Sequence, residues 1–280
     1  MEEFKAYLEE NRARKERLER EENNPAHIRN RLRNVFHYMD LLNDVRFDKT
    51  KLNTGIAAVD QVTGGLNWGD LVAINGDRGS GRTALALHYA IEVAEKTHKP
   101  VRIYSQAHSA HQITIRLLSM LTGIPISLIE EAKLDEEQWI QLASANNWLF
   151  CQDMHIYDMG MGVEQLLDSL ESGDNWALLI IDGAPMCELE PKTIQNMAIF
   201  AERMQCCVLF TCNYPSVAPC IEGYVSKVIN LEHLKEDVYS FELRWIWHGQ
   251  RGQSRLSWNK NCLSFTDEPL YIVKKEDDCV

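Results

Sequence analysis

Eight residues, Gly76-Asp-Arg-Gly-Ser-Gly-Arg-Thr83, constrain this chain more than any other stretch. They follow Leu71-Val-Ala-Ile-Asn75, an apolar run of strand length, and an Ala- and Leu-rich helical pattern opens at once behind them. Glycines at 76, 79 and 81 let the backbone curl until its amides point at one place, and the following helix adds the positive end of its dipole. Strand, glycine loop and helix in this order make Gly76, Asp77, Arg78, Gly79, Ser80, Gly81, Arg82 and Thr83 the candidate cradle for an oligophosphate. Thr83 would offer its hydroxyl to magnesium. An ordinary glycine-rich turn is the alternative, and the flanks argue against it.

Arg82 stands where a phosphate loop of this kind carries lysine. It keeps the charge but is a broad planar fork, unsuited to following phosphate oxygens during transfer as a compact ammonium does. A second element, Ala177-Leu-Leu-Ile-Ile-Asp182, is a buried strand that ends in a carboxylate. An acid there can hold the magnesium shell through water, so Asp182 joins Thr83 as the candidate metal pair.

The remaining pattern is an α/β rhythm. Strands are expected at Leu71–Asn75, Val101–Ser105, Met154–Tyr157, Ala177–Ile181 and Cys207–Thr211. Helices are expected at Thr83–Lys96, Ala110–Leu121, Asp135–Asn147, Val163–Leu170 and Thr193–Met204. Alternation of this kind builds a mainly parallel sheet covered by helices on both faces. Val225–Leu231, Tyr239–Trp247 and Arg255–Trp258 follow too closely for crossover helices and read as added antiparallel strands.

Ahead of this domain, Glu2–Glu22 is dense in both charge signs and reads as a solvated helix or a frayed tail. Asn24-Pro25 is a helix start, and Ile28, Leu32, Val35, Phe36, Met39 and Leu42 form one apolar stripe behind it. That stripe either packs on the main domain or docks on a neighbouring subunit.

A net charge of −12 argues against a generally basic surface for nucleic acid. The eight cysteines lie scattered in apolar segments without the spacing of a zinc site, so reduced, mostly buried thiols are expected. No stretch approaches the ~20 apolar residues of a membrane helix, and a soluble, cytoplasmic protein is expected.

With the loop and Asp182 in place, the stretch from about Leu52 to Phe265 resembles the C-terminal ATPase domain of DnaB-type replicative helicases, in the RecA superfamily. Thr54-Gly-Ile-Ala-Ala-Val-Asp60 with Gly64-Gly65-Leu66, Leu134-Asp-Glu-Glu-Gln-Trp139 and Tyr224-Val-Ser-Lys-Val-Ile-Asn230 carry the resemblance with the phosphate loop. It implies a RecA-like α/β fold, ATP or ADP with magnesium as ligand, a homo-oligomeric ring reached through the N-terminal helix, and a replication protein as partner. It divides the chain into an N-terminal helical extension and linker (1–50), the nucleotide-binding domain (51–268) and a tail (269–280).

The same resemblance exposes losses. Where the family's second strand ends in a Ser-Leu-Glu-Met-Ser type sequence, this chain has Ser105-Gln-Ala-His-Ser109, so the glutamate that would polarise water is Ala107. Strand alternation turns Gln106 and His108 away from the direction of Ala107, so neither is an obvious substitute base; His108, near a turn, stays open as one, with a surface histidine as the alternative expectation. The polar sensor position falls in Thr211-Cys-Asn213, with Asn213 as the candidate. The two channel loops, Gly183–Lys192 and Asn213–Gly223, are short, the first acidic and the second without Arg or Lys, so they are expected to lack a DNA grip. The family's Lys-x-Arg finger maps onto Ile246–Gly252, where strict spacing gives His248 and Gln250 and a one-residue shift gives Arg251. Trp245, Trp247 and Trp258 are expected to pack against a sheet or partner rather than stack on bases.

These features imply a nucleotide-binding protein of DNA metabolism with weak or absent hydrolysis. If it is an enzyme, it is an ATPase in which Arg82 and Asp182 act. Two alternatives stay open: a divergent but working ATP-dependent DNA helicase or loader, and an interaction module that binds no nucleotide.

Overall fold

The computed structural model describes residues 51–158, 160–170, 176–184, 189–213, 223–235, 238–245 and 250–267. The N-terminal stripe and charged run, the tail, Trp247, His248, part of the Gly183–Lys192 loop and most of the Asn213–Gly223 loop lie outside the described residues.

The domain opens with a turn tied by one carboxylate. Asp60 accepts from the Thr54 amide at 2.8 Å, the Thr54 hydroxyl at 2.8 Å and the Gly55 amide at 3.1 Å. These bonds fix the start of a short helix, α1 (Ala57–Thr63), which ends on Gly64 in the left-handed region. A bridge between Leu52 and Leu66 then closes the segment before the sheet begins.

The central strands of the sheet are apolar on both faces. β1 (Leu71–Gly76) leads through the glycine loop into α2 (Arg82–Thr97), then β2 (Val101–Ser105). Three helices follow: α3 (Ala110–Thr122), α4 (Ile126–Glu130) and α5 (Glu136–Cys151). Next come β3 (Met154–Asp158), α6 (Val163–Ser169), β4 (Leu178–Asp182), α7 (Pro191–Met204) and β5 (Cys207–Cys212). Both α3 and α5 start in capping boxes, Ser109 with Gln112 and Asp135 with Gln138, and α7 has proline in its first turn. The chain closes with β6 (Lys227–Lys235), β7 (Val238–Trp245), β8 (Gln250–Asn259) and β9 (Ser264–Asp267).

The strand order is β3-β2-β4-β5-β1-β6-β7-β8-β9, with every pair from β3 to β6 parallel and every later pair antiparallel. Alternation along each strand divides the core into two layers. Val72, Ile74, Ile103, Ile180 and Leu209 pack with Leu85, Tyr89, Ile113 and Leu117 on one face. Leu71, Ala73, Leu179, Ile181 and Phe210 pack with Leu166, Ile194, Met197 and Phe200 on the other. Both faces being covered, the parallel strands read as continuous apolar runs.

All five expected strands and five expected helices of the α/β part are present. The first of the expected added strands, β6, instead joins the parallel part beside β1, the antiparallel additions being β7, β8 and β9, with β9 unanticipated because four residues give little pattern. The short helices α1 and α4 were also missed, since neither spans two turns of apolar periodicity. Cys206, Cys207, Cys212 and Cys262 are buried and unpaired, and Cys151 is exposed. No helix among the described residues is long and apolar enough to cross a membrane.

Candidate functional site

The parallel order decides which strand ends meet. β5 lies between β1 and β4, so the end of β5 stands between the glycine loop and Asp182. That corner opens into a cavity of about 740 Å³ at the C-terminal edge of the sheet.

The loop needs its glycines for two reasons. Gly79 and Gly81 have φ of 85° and 87°, a region that side chains disfavour. At Gly81 a Cβ would also collide with the Phe265 ring, which stacks edge-on with Trp258 at 4.8 Å. The antiparallel extension therefore packs against the glycine loop, and Trp258 also lines the cavity. Helix α2 starts at Arg82, immediately beside the cavity.

Asp182 is the centre of the polar network. Its Oδ1 accepts from the hydroxyls of Thr83 at 2.8 Å and Thr211 at 2.9 Å. Its Oδ2 accepts from the Ser105 hydroxyl at 3.0 Å and from His108 Nδ1 at 3.2 Å. A carboxylate can only accept, so Nδ1 carries the hydrogen. Asp182 is 1% exposed. Burial alone would raise its carboxyl, but the hydrogen bonds from His108, Thr83 and Thr211 outweigh it and hold the group below the usual carboxylate value.

His108 departs from the sequence expectation. It is not a surface histidine turned away from the site, because β2 ends at Ser105 and alternation stops there. The Ser105 hydroxyl accepts the His108 amide at 3.0 Å, and the resulting turn delivers the imidazole to Asp182 and the cavity wall. Ala107 lines the same cavity and brings no carboxylate to it.

Among the expected residues, Arg78, Gly79, Gly81, Arg82, Thr83, Asp182 and Asn213 share the cavity wall. Gly76, Asp77 and Ser80 lie in the loop behind it, where the Asp77 carbonyl accepts the Ser80 amide at 3.0 Å. Arg251 falls in β8, paired with Arg244 of β7, and its side chain lies outside the described residues. The structure adds Ser105, Thr211, Arg116 and Leu263. Ser105 and Thr211 had a signal, a hydroxyl at the end of an apolar strand. Arg116 had a weaker one, as the lone Lys, Arg, Asp or Glu in the α3 sequence. Burial pulls the Arg116 guanidinium below its ordinary value, opposed by the charges of Asp182 and Glu130.

Thr83 and Asp182 are the pair that would hold magnesium. Thr83 lines the cavity and donates its hydroxyl to Asp182. A carboxylate, however, offers about four lone-pair positions, and Thr83, Thr211, Ser105 and His108 take them all. These four bonds leave Asp182 no acceptor position over for the metal's water shell.

The strand order and the two helical layers define a RecA-like α/β fold. Residues 51–194 match the DnaB-like helicase C terminal domain family, and the chain belongs to that family. It is 31% identical over 133 residues to the replicative DNA helicase DnaB of Helicobacter pylori, covering 46% of this chain and 27% of that protein. The chain spans under a third of the length of the curated relatives it matches. Among solved structures it is similar to an isolated ATPase domain, with a TM-score of 0.70 and 15% identity over 83% of this chain and 98% of that one. A DnaB-like replicative helicase, described with its primase interactions, superposes with a TM-score of 0.68 and 15% identity over 83% of this chain and 66% of that one.

Proposed function

We propose that this chain binds ATP or ADP with the phosphates on the amides of Gly79–Thr83, and turns the nucleotide over slowly or not at all. The supporting observation is the contact of Thr83 with Asp182 at 2.8 Å on the wall of a cavity that also carries Arg78, Arg82 and Arg116 but has Ala107 where the family has a glutamate. Cations and a helix start favour the phosphate chain. Without a base beside the γ-phosphate, the attacking water keeps its proton, a deficit of roughly 10²–10⁴-fold in rate.

In this reading the protein works through its bound state, as an assembly or regulatory partner in DNA replication in the cytoplasm. A homo-oligomeric ring and a replication protein partner belong to the same proposal, and the short, Lys- and Arg-poor segment after β5 gives single-stranded DNA little to grip.

The test is a titration with a fluorescent ATP analogue, paired with steady-state hydrolysis with and without single-stranded DNA. Saturable binding with turnover far below the ~1 s⁻¹ of a slow enzyme supports the reading. DNA-stimulated turnover lost in Asp182→Asn would establish the working helicase instead. Absence of binding at high micromolar nucleotide would leave the interaction module.

A further inference from the structure

We infer that His108 takes the acceptor position on Asp182 that a metal-bound water would need, so that this site binds its nucleotide with little dependence on magnesium. The inference rests on the nucleotide reading above and deepens it.

The argument starts from acceptor capacity. Asp182 Oδ1 is filled by Thr83 and Thr211, and Oδ2 by Ser105 and His108. Two of those donors, Thr211 and Ser105, stand near the ends of the strands on either side of β4 and are fixed by the sheet. Thr83 is fixed by the first turn of α2. Of the four, only His108 is carried by neither a strand nor a helix, and with Thr83 and Thr211 it lines the cavity beside Asp182. The resemblance places methionine at this position, a side chain that cannot donate to a carboxylate.

Charge balance agrees. A metal in a phosphate loop neutralises the β- and γ-oxygens. Among the described residues, Arg78, Arg82 and Arg116 line one cavity against a single carboxylate, that of Asp182. Arginine binds phosphate in bidentate fashion and stays charged when partly buried. The cations that the phosphate chain needs are thus built into the protein.

The experiment uses the full chain and N-methylanthraniloyl-ADP, titrated in magnesium and again in EDTA, with wild type, His108→Met and His108→Ala. Wild type is expected to change affinity by less than about threefold between the buffers, whereas both variants, with one acceptor position of Oδ2 released and Ser105 still on the other, weaken by about tenfold or more in EDTA. Manganese added to the nucleotide complexes gives a second readout: its free electron-resonance signal persists with wild type and is quenched with the variants. A wild-type affinity that collapses in EDTA overturns the inference, as do variants that behave like wild type. If no variant binds the probe in either buffer, the nucleotide reading itself falls and this inference falls with it.

Discussion

The hydroxyl of Thr83 lies 2.8 Å from Oδ1 of Asp182, joining the first turn of α2 to the end of β4 across 99 positions of chain. The loop and the acidic strand are thereby one unit before any ligand arrives. Thr83→Ala removes a donor from a buried carboxylate and should lower unfolding free energy by about 1.5–3 kcal/mol, with Thr83→Ser close to wild type. Urea denaturation of the three proteins checks this. Equal midpoints for the alanine and serine variants would show that the contact carries no stability.

Gly81→Ala tests the support that the antiparallel strands give to the loop. The substitution meets both an unfavourable φ of 87° and the Phe265 ring. A loss of at least ~1–3 kcal/mol is expected. Phe265→Ala in the Gly81→Ala background should recover part of that loss if the ring is the obstacle, and thermal unfolding of single and double variants reads it.

Ala107→Glu, made together with Arg82→Lys, tests the proposed slow hydrolysis by supplying the glutamate and lysine that the family resemblance places at these positions. Ala107 is exposed at the cavity wall, so a longer side chain has room. Turnover of ATP should rise by roughly 10²-fold or more over wild type. A double variant as slow as the parent would place the deficit elsewhere, for example at the sensor position Asn213.

Asp182 also sets a pH dependence. Its folded carboxyl lies below the ordinary value of 3.8, so the ionised form contributes stability at neutral pH that is lost as pH falls through 3.8 toward the folded value. The urea midpoint of wild type should therefore drop across that window. Asp182→Asn, which cannot ionise, should be less stable at neutral pH and show a shallower drop. Parallel pH profiles for the two proteins would remove Asp182 from the account.

Thiol chemistry separates the cysteines. Burial pushes the Cys206 thiol up to about 12, and Cys212 likewise to about 12 against the opposing charge of Arg82. Neither forms thiolate near neutrality. Brief alkylation of the native protein followed by peptide mapping should label Cys151 and spare Cys206, Cys207, Cys212 and Cys262. Rapid labelling of Cys206 or Cys212 would contradict the packing of β5.

The sequence by itself determined the α/β alternation, the glycine loop between strand and helix, and the acidic strand end. Each is a local pattern: apolar runs that must be covered on both faces, glycines at positions of positive φ, and a carboxylate placed where such a run stops. It also made Ala107 and Arg82 legible as departures, because a resemblance assigns residue types to positions. What only the tertiary structure decided is who meets whom at the corner. Strand alternation predicted the wrong direction for His108 because β2 ends at Ser105, and the turn that follows is set by the Ser105 hydroxyl. Ser105, His108 and Thr211 converge on Asp182 because β2 and β5 flank β4, an order that sequence spacing does not encode. Arg116 reaches the same cavity from a helix, and Phe265 lies behind Gly81 because three antiparallel strands fold back on the loop. Hydrogen-bond capacity and charge balance are properties of such a gathering, so they appear once the chain has closed around it.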